Sequence, residues 1–272
     1  MSRRRSAGER AHALILAAGR GSRLRPTTDH TPKPLVPVAG RPLIGYGLDL
    51  LRRHGFAEVV VNVHHLAERL VAALGDGSRF GVRIRYSLEP ELLDTGGGIR
   101  RAAALLEPRF PPSRPLLVLN ADVICEVPLD RLIEAHVASG ALATFVLRPD
   151  PRAEQYGILG VDREGRVRYF LGSGTPPARL DCYMFASVHV VSPALLAEMP
   201  SEGPFSSMRE LYPRLFAEGR DLRGFVYEGP WHVVDTPEDR ERAEAALGSA
   251  ATRPPGTRRA TGNDMAPGRR RE

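Results

Sequence analysis

Short apolar runs alternate with stretches of helical periodicity over the first 150 residues. The apolar runs predict strands at residues 13–17, 59–63, 82–86, 116–119 and 143–147. The stretches between them predict helices at residues 43–54, 66–74, 98–106 and 129–138. Strands and helices that alternate at this spacing are typical of βαβ units around a parallel sheet.

The order of the predicted elements changes after about residue 150. A turn at residues 162–165 (Asp-Arg-Glu-Gly) predicts a hairpin between strands at 158–161 and 167–170. The remaining pattern predicts a strand at 182–191, a helix led by Pro193, an amphipathic helix at 207–218, strands at 222–226 and 231–234, and a last helix that begins at the N-cap Thr236 and ends near 247. We therefore predict an α/β fold with a Rossmann-like, mixed and mostly parallel sheet flanked by helices.

The charge is concentrated at the two ends of the chain. Of the formal net charge of +6, the first ten residues carry +3 and residues 248–272 carry +4, so the intervening residues sum to −1. Arg-rich ends with Pro and Gly are typical of disordered tails, and we predict such tails at 1–11 and 248–272. A nearly neutral folded part does not favour a nucleic-acid partner. No apolar run approaches the roughly 18 residues of a membrane span, so we predict a cytoplasmic protein with no membrane partner.

A glycine-containing loop follows the first predicted strand. It occupies residues 18–23 (Ala-Gly-Arg-Gly-Ser-Arg), and Lys33, the single lysine of the chain, lies shortly after it. Such a loop can cradle phosphates, although a plain turn is an alternative from the pattern alone. The dinucleotide fingerprint would need glycine where Leu24 stands, and no Walker A motif is present. The three cations Arg23, Arg25 and Lys33 favour a polyphosphate site.

Two longer segments resemble a known signature. Residues 16–28 (Leu-Ala-Ala-Gly-x-Gly-Ser-Arg-Leu-x-Pro-x-Thr) and 32–44 (Pro-Lys-Pro-Leu-x-Pro-Val-x-Gly-x-Pro-Leu-Ile) resemble that of the sugar-1-phosphate nucleotidylyltransferases. Residues 94–98 (Asp-Thr-Gly-Gly-Gly) and 120–122 (Asn-Ala-Asp) support the resemblance. It covers about residues 12–247, with a nucleotide-binding half at about 12–150 and a sugar-binding half at about 151–247. Among subgroups, the chain is most similar to mannose-1-phosphate guanylyltransferases and N-acetylmuramate-1-phosphate uridylyltransferases.

The resemblance implies an enzyme that joins an NTP to a sugar-1-phosphate, releases pyrophosphate and uses Mg²⁺. The implied nucleotide-binding residues are Leu16, Ala17, Ala18, Gly19, Gly21, Ser22, Arg23, Gly96 and Gly97. The implied catalytic residues are Arg23, which would hold the triphosphate, Lys33, which would contact both substrate phosphates, and Asp122. The sugar phosphate would contact Lys33, Asn120 and Ser187. The implied metal ligands are Asp122 and Asp235.

The acceptor half departs from the family pattern. Members usually carry Trp-x-Asp-x-Gly-Thr, whose Asp is a metal ligand, but here Val233 stands at that position and Asp235 replaces the glycine. Asp235 could reach the metal, since residues two apart in a strand share a face, or could only help to cap the next helix. Ser187 stands where a glycine is usual, and the Glu-Lys-Pro expected after Phe170 is missing.

These departures leave several hypotheses about function. The first is a mannose-1-phosphate guanylyltransferase that uses GTP. The alternatives are a uridylyltransferase for N-acetylmuramate-1-phosphate or another sugar-1-phosphate, a cytidylyltransferase for a polyol or choline phosphate, and a catalytically silent relative that binds a nucleotide sugar. The sequence leaves the oligomeric state open.

Overall fold

The computed structural model describes residues 5–106, 114–151, 153 and 157–251. The helices are α1 (Ala7–Arg10), α2 (Leu43–Arg53), α3 (Ala67–Leu74), α4 (Asp94–Leu106), α5 (Leu129–Ser139), α6 (Pro193–Ala197), α7 (Tyr212–Ala217) and α8 (Pro237–Ala251). The strands are β1 (His12–Leu16), β2 (Pro37–Val38), β3 (Arg41–Pro42), β4 (Glu58–Val63), β5 (Arg83–Leu88), β6 (Leu116–Asn120), β7 (Val123–Cys125), β8 (Ala143–Arg148), β9 (Ile158–Val161), β10 (Val167–Phe170), β11 (Ser173–Gly174), β12 (Asp181–Val191), β13 (Leu222–Val226) and β14 (Trp231–Val233).

Ten strands form one central sheet. Its main path runs β11-β10-β9-β12-β6-β1-β4-β5, and β8 pairs with both β12 and β13. The strands β6, β1, β4 and β5 are mutually parallel, whereas the long strand β12 runs antiparallel to β6, β8 and β9. The predicted α/β fold with a mixed, Rossmann-like sheet is therefore confirmed, and β12 joins the parallel first half to the antiparallel second half.

Both faces of the parallel part are covered by helices. Alternate residues of β1 point to opposite faces, so Ile15 belongs to one apolar cluster and Leu14 to another. Helices α2, α3 and α5 contribute to the first cluster, and α4, α6 and α7 contribute to the second. Burial on both faces explains why these strands appear in the sequence as continuous apolar runs.

The start of the folded chain differs from the prediction of a disordered segment at 1–11. Residues Ala7–Arg10 form α1, and the Glu9 carboxylate accepts the backbone N–H of Ser6 at 2.7 Å. Ala7 is fully buried in the first apolar cluster, and Arg10 donates to the Asp130 carbonyl oxygen at 3.0 Å. These contacts order a segment whose arginines suggested a tail. Residues 1–4 of that prediction lie outside the described residues.

The boundaries of most other elements agree with the prediction to within a few residues, and the start of α4 is the difference that bears on the site. Helix α4 begins at Asp94, so Gly96 and Gly97, which precede the predicted helix at 98–106, lie inside its first turns. The last helix continues to Ala251, past the predicted end near 247, and the rest of the predicted tail lies outside the described residues. Within the described part of the chain, none of the helices combines the length and apolarity that crossing a membrane requires.

Candidate active site

A cavity of about 360 Å³ opens at the carboxyl ends of β1 and β6. In open α/β sheets, ligands gather at this edge. The predicted site residues that line the cavity are Leu16, Ala17, Ala18, Gly19, Gly21, Ser22, Arg23, Lys33, Asn120, Asp122 and Asp235. Gly96, Gly97 and Ser187 are not among its lining residues. The fold thus brings together most of the residues that the sequence singled out, from segments more than 200 positions apart.

The single lysine lies between two carboxylates at the floor of this cavity. Lys33 Nζ is 2.6 Å from Asp122 Oδ2 and 2.5 Å from Asp235 Oδ1. The side chains of Lys33 and Asp235 are only 12% and 10% exposed, and that of Asp122 is 23% exposed. Burial lowers the pKa of Lys33, but the charges of Asp122 and Asp235 and their hydrogen bonds outweigh it, so the pKa is raised above the ordinary value. The site therefore holds a fixed positive charge at neutral pH.

The two carboxylates are brought together by a short strand pair. Strand β14 pairs with β7 so that Val233 lies opposite Val123. One residue further on, the Val234 backbone N–H donates to the Asp122 carbonyl oxygen at 2.9 Å. This pairing places Asp122, which follows β6, beside Asp235, which follows β14.

The Asp235 carboxylate is directed into the cavity and does not cap the last helix. Its Oδ2 atom is 3.0 Å from Arg23 Nη2, and its Oδ1 atom contacts Lys33. The cap of α8 is made by Thr236 and Asp239 instead: the Asp239 N–H donates to Thr236 Oγ1 at 3.2 Å, and Asp239 Oδ2 accepts the Thr236 N–H at 3.1 Å. Arg23 is 63% exposed, so its guanidinium stands at the solvent side of the site.

Val233, at the usual position of the second acidic ligand, lies elsewhere. Its side chain packs against the first apolar cluster and lines a different cavity with Trp231 and His232. Of the two alternatives for Asp235, the geometry supports participation in the site over capping.

The donor set is suited to a divalent cation held with phosphate oxygens. Asp122 Oδ1 is buried without a hydrogen-bond partner, and Asp122 Oδ2 and Asp235 Oδ1 both contact Lys33 Nζ. Mg²⁺ prefers oxygen ligands and often binds one or two carboxylates together with substrate phosphates. Among the described residues, no group of three or more His, Cys, Asp or Glu side chains could hold a metal by itself. The fit is therefore to a cation that arrives with its phosphate ligands.

The glycines of the loop after β1 have different structural roles. Gly21 has φ +63°, and a Cβ atom there would lie 2.9 Å from Lys33 Cβ. Gly19 is exposed, and a Cβ atom there would meet nothing within 4 Å. Gly21 is thus required by backbone conformation and by the packing of Lys33, whereas Gly19 leaves open space at the cavity.

Gly96 and Gly97 lie behind the cavity wall. Both backbone N–H groups donate to the Phe205 carbonyl oxygen, at 2.9 and 3.3 Å. A Cβ atom on Gly96 would lie 2.1 Å from the Phe205 ring, so this glycine admits an aromatic side chain. Their neighbours Asp94 and Thr95 line the cavity instead. Asp94 has φ +57°, and its carboxylate accepts the Thr95 N–H at 2.6 Å.

Ser187 adopts a left-handed backbone conformation in β12. Its φ is +59°, and the pairing of β12 with β8 shifts register between Phe185 and His189. A positive φ is the conformation that the usual glycine would adopt freely. The strand thus holds a serine in a backbone conformation that favours glycine.

Six further residues line the cavity without having been predicted as site residues, although four of them belong to the motifs at 32–44, 94–98 and 120–122. They are Pro34, Asn62, Leu92, Asp94, Thr95 and Ala121. Asn62 carried a usable signal, because it is a polar residue near the carboxyl end of the apolar strand β4 and is 2% exposed. Leu92 is 40% exposed, which is unusual for a leucine and fits a cavity wall.

The fold and this site define an α/β protein of the nucleotide-handling type. Comparison with known families gives a more specific assignment: residues 12–234 match the model described as Nucleotidyl transferase. The chain belongs to the nucleotidyl transferase family, as the motifs indicated.

Curated relatives of several specificities are similar to the chain. It is 52% identical over 242 residues to the N-acetylmuramate alpha-1-phosphate uridylyltransferase of Neisseria meningitidis serogroup B, covering 87% of this chain and 98% of the relative. It is 33% identical over 242 residues to the mannose-1-phosphate guanylyltransferase of Mycobacterium tuberculosis, covering 86% of this chain and 64% of the relative. It is 31% identical over 230 residues to the UTP–glucose-1-phosphate uridylyltransferase of Synechocystis, covering 80% of this chain and 58% of the relative. The chain therefore spans about three fifths of the length of the latter two.

Solved structures share the fold. The structure of HddC from Yersinia pseudotuberculosis complexed with GMP-PN superposes with a TM-score of 0.72, at 21% identity, over 87% of this chain and 99% of the other. At this identity the likeness establishes the fold alone.

Proposed function

We propose that this protein is a sugar-1-phosphate nucleotidylyltransferase, with its nucleotide-binding half at about 12–150 and its sugar-binding half at about 151–247. The observation that carries the proposal is the position of Lys33, a buried ammonium held between Asp122 and Asp235 in the cavity beside the glycine loop. A family member that had lost its activity would not need to keep this ion-pair set. Because such an enzyme draws on the nucleoside triphosphates of the cell interior, the proposal includes a cytoplasmic location.

The reaction joins two anions, which explains the chemistry of the site. A phosphate oxygen of the sugar-1-phosphate forms a bond to the α-phosphorus of the NTP, and the bond from that phosphorus to the oxygen bridging to the β-phosphorus breaks. Pyrophosphate leaves with the electron pair. Positioning and charge neutralisation supply most of the catalysis in such transfers.

Each cation has a role that suits its shape. Lys33 is a compact point charge, and after exchanging its carboxylate partners for phosphate oxygens it would draw the sugar phosphate and the α-phosphate together. Arg23 stands at the solvent side, where its planar guanidinium can contact the triphosphate and the departing pyrophosphate. Asn120, at the end of β6, lines the cavity and would contact the sugar phosphate.

The residues that would hold Mg²⁺ are Asp122 and Asp235. The unpartnered Asp122 Oδ1 supports this assignment. When bound, the ion neutralises charge on the phosphate oxygens. The protein itself contributes the two carboxylates, held close together by the pairing of β14 with β7.

We further propose UTP and N-acetylmuramate-1-phosphate as the substrate pair. The support is 52% identity over 98% of a relative that carries this activity in its name. This reverses the order of the hypotheses drawn from the sequence, where GTP and mannose-1-phosphate came first. That second pair is kept because the mannose-1-phosphate guanylyltransferase of M. tuberculosis is 33% identical over 86% of this chain.

The test is release of pyrophosphate from purified protein with Mg²⁺. Five nucleoside triphosphates are crossed with N-acetylmuramate-, mannose-, glucose- and N-acetylglucosamine-1-phosphate, and with phosphocholine and inositol phosphate. We expect turnover with UTP and N-acetylmuramate-1-phosphate. Asp122→Asn should lower that turnover by about a hundredfold or more, since it removes charge at the reacting centre. Glu218→Gln, which changes an exposed carboxylate paired with Arg214, is the control.

Each result has a defined reading. Turnover with GTP and mannose-1-phosphate, and with no other combination, would show that these are the substrates in place of UTP and N-acetylmuramate-1-phosphate. Bound nucleotide without pyrophosphate release across the whole set would identify a catalytically silent relative and overturn the proposed function.

A further inference from the structure

Two buried polar side chains form a continuous series of hydrogen bonds at the wall of the cavity, and one of them, Asn62, is among its lining residues. The Ala17 N–H donates to Asn62 Oδ1 at 2.6 Å, and Asn62 Nδ2 donates to Glu89 Oε1 at 2.7 Å. Glu89 Oε2 then accepts the Leu93 N–H at 3.1 Å. Asn62 is 2% exposed and Glu89 is 4% exposed. Within this series of hydrogen bonds the buried Glu89 carboxylate has no cationic partner, so its burial needs another structural explanation.

The donors and acceptors along this series of bonds match only when one of the two side chains is an amide and the other is a carboxylate. Both ends are backbone N–H donors, so the two side chains must present acceptors outward to Ala17 and to Leu93. An amide offers one acceptor and one donor, whereas a carboxylate offers two acceptors. One amide beside one carboxylate, in either order, satisfies all three bonds, whereas two amides or two ionised carboxylates cannot.

This series of hydrogen bonds connects two parts of the cavity wall. Ala17 lies between β1 and the glycine loop at 18–23, and Leu93 lies directly before α4. Both Ala17 and the residues on either side of Leu93, namely Leu92 and Asp94, line the cavity. The distance between the loop and the start of α4 is therefore set through Asn62 and Glu89.

The surrounding structure holds this pair in place. The Glu89 N–H donates to the Val63 carbonyl oxygen at 2.9 Å, and the Glu89 carbonyl oxygen lies 2.9 Å from His64 Nδ1. A Cβ atom on Gly98 would lie 2.7 Å from Asn62 Nδ2 and 2.9 Å from Glu89 Oε1. The third glycine of the 96–98 run thus leaves the space that the pair occupies.

We propose that Asn62 and Glu89 are positioning residues that fix the spacing between the glycine loop and the start of α4 and thereby set the affinity for the nucleotide. This inference rests on the proposed function, because it requires that the cavity binds an NTP. Neither side chain is assigned a part in bond making. Their effect is transmitted through the backbone of Ala17 and Leu93.

The matched order of donors and acceptors gives a sharp test by exchange. Glu89→Gln leaves two amides. Either their two NH2 groups then face each other, or the NH2 group of the new amide faces the Leu93 N–H, which loses its acceptor. Asn62→Asp leaves two facing carboxylates. The double variant Asn62→Asp with Glu89→Gln restores a carboxylate next to an amide, so the Ala17 N–H, the Gln amide and the Leu93 N–H again all find acceptors. Shape and total charge are the same as in the wild type.

The dissociation constant for UTP is measured by calorimetry, together with KM for UTP, KM for the acceptor and the melting temperature. We expect each single variant to weaken UTP binding about tenfold, because a buried polar group loses its partner. KM for the acceptor should change little, and the double variant should return to within about threefold of the wild-type affinity, with its melting temperature restored.

A control separates positioning from general loss of stability. Thr144→Val removes a buried hydrogen bond to His136 Nδ1, which the structure gives as 2.9 Å, at a position outside the cavity lining. It should lower the melting temperature without changing UTP affinity. Unchanged UTP affinity in both single variants would overturn the positioning role, and so would a double variant no better than the worse single one. A wild-type protein that binds no nucleotide would instead remove the proposed function, and the positioning role with it.

Discussion

Lys33 Nζ and Asp235 Oδ1 lie 2.5 Å apart, although 202 positions separate the two residues. Lys33 follows the first strand of the sheet, and Asp235 follows β14, the last strand. Their contact links the segment after β14 to the segment after β1, at the point where the chemistry is proposed to occur. Because Asp122 shares the same ammonium, the loss of Lys33 would leave two largely buried carboxylates facing each other.

Lys33→Met should therefore damage both activity and stability. We expect turnover to fall by about a hundredfold or more, since the charge at the transferred phosphate is lost. The free energy of unfolding should fall by about 1–3 kcal/mol, because the two carboxylates lose their partner. Pyrophosphate release and urea unfolding at pH 7 measure the two effects. Arg214→Met, at an exposed ion pair with Glu218, is the control and should change neither. Normal turnover in Lys33→Met would remove this lysine from the mechanism.

The raised pKa of Lys33 can be measured directly because the chain has no other lysine. Protein labelled with ¹⁵N-lysine gives one side-chain ammonium signal. Burial lowers the pKa of Lys33, but Asp122 and Asp235 raise it by more, so the signal should remain that of a charged amine above pH 10.5. The stability that this ion pair contributes is fully present below the unfolded pKa and is lost as the pH rises through the folded one. Asp235→Asn should lower the titration midpoint, and an unchanged midpoint would contradict the ion pair.

Metal binding should depend on Asp235 and not on the residue at position 233. Asp235→Asn should weaken Mn²⁺ binding measured by water-proton relaxation in the presence of UTP, and should lower turnover. Val233→Asp should not strengthen metal binding, because the Val233 side chain packs against the apolar cluster and not in the cavity. Burial of a carboxylate there should instead lower the melting temperature. Tighter Mn²⁺ binding by Val233→Asp would show that the usual ligand position still reaches the metal.

The sequence singled out Lys33 and Asp122 as candidate site residues because both belong to local motifs. Lys33 was conspicuous as the single lysine, and Asp122 follows a buried apolar strand. The meeting of Asp235 with Lys33 was not predictable from local pattern, because it depends on the pairing of β14 with β7. The same applies to Asn62 and Glu89, since a donor–acceptor chain across three segments has no signature in any one of them.

Two errors have a common physical cause. Glycine has a low helix propensity, and the helix was predicted to begin only at residue 98, but Gly96 and Gly97 lie inside α4, where Phe205 approaches Gly96 too closely for a Cβ atom. The four residues of α1 are too few to show a helical pattern, and the burial of Ala7 holds them in place. Tertiary contacts overrode local preference in both cases.

The loop glycines offer a matched pair of substitutions. Gly21→Ala should lower the free energy of unfolding by about 1–3 kcal/mol, because φ is +63° and the new Cβ atom would press on Lys33. Gly19→Ala should leave the melting temperature unchanged, since a Cβ atom there meets nothing within 4 Å. If the nucleotide passes close to this backbone, Gly19→Ala should nevertheless raise KM for UTP. An unchanged KM would mean that the phosphates do not approach Gly19.

Stability should fall as the pH drops below about 6.5, because buried histidines cannot take up protons. His189 lies among Phe145, Phe185 and Tyr212 with neither ring nitrogen hydrogen-bonded, and burial lowers its pKa to about 3. Burial likewise lowers the pKa of His136 to about 4. The unfolded chain binds these protons near pH 6.5 and the folded chain does not, so each histidine contributes a slope of about 1.4 kcal/mol per pH unit between its folded and unfolded pKa values.

His189→Phe should remove one such slope. The phenyl ring keeps the aromatic contacts of the cluster and cannot be protonated, so the loss of stability between pH 6 and pH 5 should shrink by about 1.4 kcal/mol relative to the wild type. Urea unfolding at pH 7, 6 and 5 measures the difference. Equal slopes in His189→Phe and the wild type would mean that His189 takes up its proton in the folded state, with a partner that this packing does not provide.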